Sequence, residues 1–192
     1  VRDMKNKRLT IKIVRRNLII KWFLYVLLAS FAYVISTIKI TSFPKPLMLI
    51  PIAVCICSKQ TEMVSSIVGL VIGFMLDSAS GRLFGFNAFI LMICCMFVSL
   101  LFLYLLRQNI FNVFVLIIIT TLIQTGLDFL FAYAVWGIEH VGEVFMRWYL
   151  PSMVATILTA VPIIAVTRLI ERKFGIIDDH YIEEKDENCV RE

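Results

Sequence analysis

Two carboxylates set in apolar surroundings are the side chains best placed to do chemistry in this 192-residue chain. Asp77 closes the series Ser65, Gly69, Gly73, Asp77, spaced four residues apart, and Gly81 and Gly85 continue the interval. On a helix the first four share one face of small side chains, which lets a second helix approach closely. Asp77 stands at the end of that face, across the turn Ser78-Ala79-Ser80-Gly81 from Arg82. From there it can pair with Arg82, cap the helix that begins near Phe84, or bind a partner. Asp128 follows Gln124 by one helical turn and Thr120 by two, which makes a polar stripe on one face. A carboxylate at that depth is costly unless it faces other helices or water. Asp128 therefore reads either as part of a binding cavity or interhelical contact, or as a group near the outer interface bonded to neighbouring helices. Asn87, at the start of a span, is expected to face the bundle interior.

Several chemistries are excluded by pattern. Two intramembrane aspartates could share a proton as a protease dyad, but Phe74-Met75-Leu76 precedes Asp77 where that class carries Gly-x-Gly. There is no His-Glu-x-x-His metal helix, Gly-x-Ser-x-Gly elbow or glycine-rich phosphate loop. His140 and His180 stand isolated in polar segments, where solvated histidine is the expectation. Of the five cysteines, Cys55, Cys57, Cys94 and Cys95 lie in apolar runs and Cys189 in the tail. The first four pack as small hydrophobes, and Cys55-x-Cys57 has no second pair or histidine cluster to complete a metal site. No enzymatic activity, metal or cofactor is expected.

The elements that position these residues follow from composition. The chain is 60% hydrophobic and 17% charged, against roughly 45–50% and about 25% in a soluble domain. Residues 1–21 hold eight Lys/Arg and residues 168–192 hold thirteen charges, whereas the stretch 22–167 between them holds eleven. With about 20 apolar residues per span, that stretch accommodates six transmembrane helices and short loops. The expected architecture is all-α, a polytopic bundle of about six spans. It divides into a basic N-terminal segment 1–21, a transmembrane domain 22–167 and a polar tail 168–192.

The spans read as 22–38, 47–57, 63–76, 83–106, 110–136 and 148–167. The second is only eleven residues long and contains Pro51, so it is expected to be tilted, broken or shielded by protein. Merging it with the third would bury Lys59 and Glu62 in mid-membrane, so six spans are preferred to five. The first run continues past any small-residue cleavage site and is read as a span rather than a signal peptide. With six spans, fifteen of the nineteen Lys/Arg fall on the side of the termini, which predicts both termini cytoplasmic. The basic residues Arg2 to Lys21 read as a topology signal or a contact to anionic membrane lipid rather than to nucleic acid.

The stretch from Gly69 to Ala88 carries a glycine-rich helix ending in Gly73-Phe74-Met75-Leu76-Asp77, then a small-residue turn with Gly81, then Leu83-Phe84-Gly85-Phe86-Asn87-Ala88. This resembles the central signature of the bacterial rod shape-determining protein MreD family. Size, the basic N-terminus and a proline-containing second segment fit the same family. The resemblance implies a non-enzymatic subunit of the lateral cell-wall elongation machinery in the bacterial plasma membrane. It implies MreC, the actin-like MreB filament, and the RodA polymerase with its class B penicillin-binding protein as partners. It further implies a fold similar to the substrate-binding S components of energy-coupling-factor vitamin transporters, which makes such a subunit the alternative reading. Those subunits carry Ala-x-x-x-Ala on the first helix, whereas here Ala29 is followed by Tyr33 and Ala32 by Ser36. Gly69, Gly73, Asp77, Gly81, Arg82, Gly85, Asn87, Gln124 and Asp128 are the candidate structural or interaction residues, with Asp77, Arg82 and Asn87 foremost.

Overall fold

A computed structural model describes residues 2–37, 47–80, 85–106, 108–131 and 145–174. Within them the protein is helical, without strands: α1 (Arg2–Thr37), α2 (Leu49–Cys57), α3 (Glu62–Ser80), α4 (Phe86–Tyr104), α5 (Ile110–Phe129) and α6 (Leu150–Phe174), the last preceded by a π-helical turn, Phe145–Tyr149. Five of the six are long and apolar enough to cross a bilayer, in stretches at Arg16–Thr37, Glu62–Ala79, Phe86–Tyr104, Ile110–Phe129 and Phe145–Lys173. The exception is α2. The sequence expectations on Gly81, Arg82, the loop carrying His140 and the acidic tail fall outside the described residues.

The chain divides into two compact units, Ala29–Ile164 and Val1–Leu28 with Ala165–Glu192. In the first, α2 is the centre. All nine of its residues are buried, as an apolar surface on every side requires, and it packs against α3, α4 and α5. A helix this short reaches across only part of a bilayer, so its end groups must find partners inside the protein. They do. Pro51 occupies the third helical position, where the missing N–H would have no intrahelical acceptor. Just ahead of the helix, Leu47 N–H donates to Thr156 Oγ1 of α6 at 2.9 Å. At the other end Ser58 Oγ donates to Cys55 O at 2.8 Å, Ser65 Oγ to Cys57 O at 3.3 Å and Gln108 Nε2 to Ser58 O at 3.2 Å. Ser99 Oγ donates to Gln60 O, tying α4 to the turn between α2 and α3.

Helices α3 and α4 form the most extensive pair. Opposite their seam, Met63, Ile67, Val71 and Phe74 of α3 form an exposed apolar stripe. In the spanning stretches of α3, α4 and α5 39% of positions are buried, against 22% in α1 and α6, so α3, α4 and α5 are the most enclosed of the five spanning helices.

In the second unit Tyr25 of α1 donates its hydroxyl to Glu171 Oε1 of α6 at 3.3 Å. Both are buried, as are Lys21 and Thr167, and Trp22 packs edge-on against the Tyr25 ring at 6.3 Å. A phenol and a carboxylate tolerate burial when hydrogen-bonded to each other. The helix of α1 begins well before Lys21, so part of the basic segment is itself helical.

Candidate functional site

The α3–α4 seam is built on two glycines. A Cβ on Gly69 would lie 2.8 Å from Leu91 O and 2.9 Å from Cys95 Cβ, and one on Gly73 would lie 2.9 Å from Ala88 N and 3.1 Å from Asn87 O. Any larger residue at either position would push the helices apart. The sequence reading ended the apolar run at Leu76 and placed Asp77 as the last residue of its helix. In the structure α3 runs on to Ser80, because nothing in Asp77-Ser78-Ala79 breaks it, and Asp77 therefore stays on the face that Ser65, Gly69 and Gly73 begin.

That continuation delivers the carboxylate to the first turn of α4. Asp77 is fully buried. Its Oδ2 accepts from Gly85 N–H at 2.8 Å and Ala88 N–H at 3.3 Å, and its Oδ1 accepts from Asn87 N–H at 3.2 Å. Gly85 is the N-cap residue of α4 and has φ +94°, the left-handed region that favours glycine. It has no side chain with which to cap its own helix. Asp77 supplies the cap from the preceding helix, meeting N–H groups that have no intrahelical acceptor. The negative charge also meets the positive end of the α4 dipole. Of the three roles open to Asp77, capping is the one seen here; Arg82 is not among the described residues.

A second bond ties this corner to α5. Gln124 Nε2 donates to Asn87 Oδ1 and, at 3.5 Å, to Asn87 O. Asn87 is 4% exposed and Gln124 1%, so Asn87 does face the bundle interior. Gly69, Gly73, Asp77, Gly85, Asn87 and Gln124 form one connected corner linking α3, α4 and α5.

Asp128 lies one turn beyond Gln124 and is partly exposed. Its Oδ2 accepts from the Tyr149 hydroxyl at 3.2 Å. Around it Phe129 packs on Phe145 and Tyr149 with ring centroids 5.0 and 5.1 Å apart, and Phe86 meets Phe131 at 4.9 Å. Tyr149 was visible in the sequence only as a residue at the start of a span. Aromatic residues recurring at Phe129, Phe131, Phe145 and Tyr149 on either side of the loop were the available signal for this cluster.

Among the described residues no three His, Cys, Asp or Glu side chains converge as metal ligands. The arrangement can hold helices at fixed spacing and present a partly exposed carboxylate amid aromatic rings.

Residues 14–173 match the family described as rod shape-determining protein MreD. The chain belongs to the MreD family. The match starts within α1, ends one residue short of the end of α6, and includes all nine candidate residues. No curated protein and no solved structure matches the chain. This MreD-family protein is a multi-pass, rod-shape-determining membrane protein, and its family is one of shape-determining structural membrane proteins.

Proposed function

We propose that this protein is a non-enzymatic subunit of the bacterial cell-wall elongation complex, in which it scaffolds partners that control where peptidoglycan is made. The observation that carries this reading is the family match across residues 14–173. The corner around Asp77 supports it, because a carboxylate saturated by backbone N–H groups does architectural work.

In this reading the partners are MreC, MreB, and RodA with its class B penicillin-binding protein. Gly69, Gly73, Asp77, Gly81, Arg82, Gly85, Asn87, Gln124 and Asp128 set the shape of the surface those partners meet. The protein sits in the plasma membrane, and with the segment of α2 counted as a sixth crossing the Lys/Arg asymmetry supports cytoplasmic placement of both termini. The basic segment 1–21 holds orientation and touches anionic lipid, the domain 22–167 is the scaffold, and 168–192 is a polar tail.

The test is conditional depletion in the native host with cell width followed by microscopy. Widening or rounding that the cloned gene reverses is the expected result, and rods of unchanged width would refute the reading.

A further inference from the structure

Hydroxyls on the helices of this protein commonly bond the carbonyl one turn back. Thr37 Oγ1 donates to Tyr33 O at 2.9 Å, Ser66 Oγ to Glu62 O at 2.8 Å and Thr156 Oγ1 to Ser152 O at 2.7 Å, a bond open to Thr at ordinary rotamers. Thr121 and Thr125 of α5 depart from this. They are 0% and 2% exposed, yet neither Oγ1 has a hydrogen-bond partner. Gln124 between them is 1% exposed, and with its Nε2 directed to Asn87 its Oε1 is unpartnered too. Ser36 Oγ is the one other buried side-chain atom without a partner among the described residues.

Three such atoms within five residues of one helix are not scattered defects. Gln124 and Thr125 lie three and four positions beyond Thr121, the spacing at which helix side chains neighbour one another, and α5 buries all three. Buried polar groups in proteins are matched by other polar groups or by ordered water. The set here is one acceptor, Gln124 Oε1, flanked by two hydroxyls that each donate and accept. That is the complement of a molecule able to donate and accept in several directions at once. It carries no charge to attract an ion.

We propose that Thr121, Gln124 and Thr125 bind one ordered internal water, which donates to Gln124 Oε1 and bonds both threonine hydroxyls. Such a water has the few polar partners that buried waters need. It also fixes which way the Gln124 amide is turned. With Oε1 held by the water, Nε2 stays on Asn87, so the water acts as a positioning group for the first turn of α4.

Thermal unfolding of the full-length protein in detergent tests this with Thr121→Val and Thr125→Val, which keep shape and nearly equal helix propensity while removing the hydroxyl. With a bound water, each Val variant removes one of the water's partners, and Tm falls by roughly 2–4 °C, while Thr→Ser at the same positions retains most of the wild-type Tm. A hydroxyl with no partner gives the opposite sign, since Val then removes an unsatisfied group and Tm rises. A rise, or no change, in both Val variants overturns the proposal. Repeating Thr125→Val in an Asn87→Ala background separates positioning from local packing. The drop shrinks if the water acts through the Gln124–Asn87 bond, and an undiminished drop overturns the positioning role.

Discussion

Asp77 and Asp128 are the same side chain near the same end of the bundle, and the structure treats them oppositely. Asp77 is sealed from solvent and accepts three backbone N–H groups from the start of α4. Asp128 is partly exposed and accepts from the hydroxyl of Tyr149 amid aromatic rings. What separates them is backbone, not depth. A helix N-terminus offers a set of fixed donors and a favourable dipole, so the carboxylate aimed at it becomes part of the fold. Without such a terminus a carboxylate takes a side-chain partner and keeps some access to its surroundings. In this protein the first arrangement holds helices together, and the second leaves the carboxylate partly exposed.

The contrast predicts a graded series of effects. Asp77→Ala strands three backbone donors at once. Each donor left unsatisfied costs about 1–3 kcal/mol, and the loss of all three is visible as a large fall in Tm or loss of the folded protein from the membrane fraction. Gly73→Ala attacks the same corner through sterics, because the added Cβ meets the Ala88 and Asn87 backbone. Overpacking of this kind costs about 1–3 kcal/mol, and a disulfide-trapping scan along α3 and α4 should report the pair moving apart. Gln124→Leu removes the bond to Asn87 and leaves Asn87 Oδ1 unsatisfied, a loss of about 1–3 kcal/mol in unfolding experiments. Asp128→Asn keeps an acceptor for Tyr149 at a partly exposed site, so its effect on stability is under about 1 kcal/mol. If Asp128→Asn proved as damaging to stability as Asp77→Ala, the distinction between the two carboxylates would fail.

Periodicity and apolar length carry far in this chain. The spacing of four from Ser65 to Asp77 places these residues on one face, and the five long helices coincide with long apolar runs. The eleven-residue run with Pro51 reads as a short span that is tilted, broken or shielded by protein, and its helix is enclosed by protein. What spacing could not supply was contact between distant residues. The cap on α4 depends on a left-handed Gly85, a backbone state that a glycine permits without announcing. Tyr149 and Asp128 meet across 21 positions and Tyr25 and Glu171 across 146, and no local pattern links them. No sequence pattern sets Thr121 and Thr125 apart; their unpartnered hydroxyls are properties of rotamer and neighbour.

The most direct test of the account places Asp77→Ala and Asp128→Ala side by side in a host depleted of the native protein, reading membrane abundance and cell width in the same cells. Asp77→Ala is expected to be lost from the membrane and to leave cells wide or round, while Asp128→Ala accumulates normally. Normal abundance and normal rods with Asp77→Ala would contradict it.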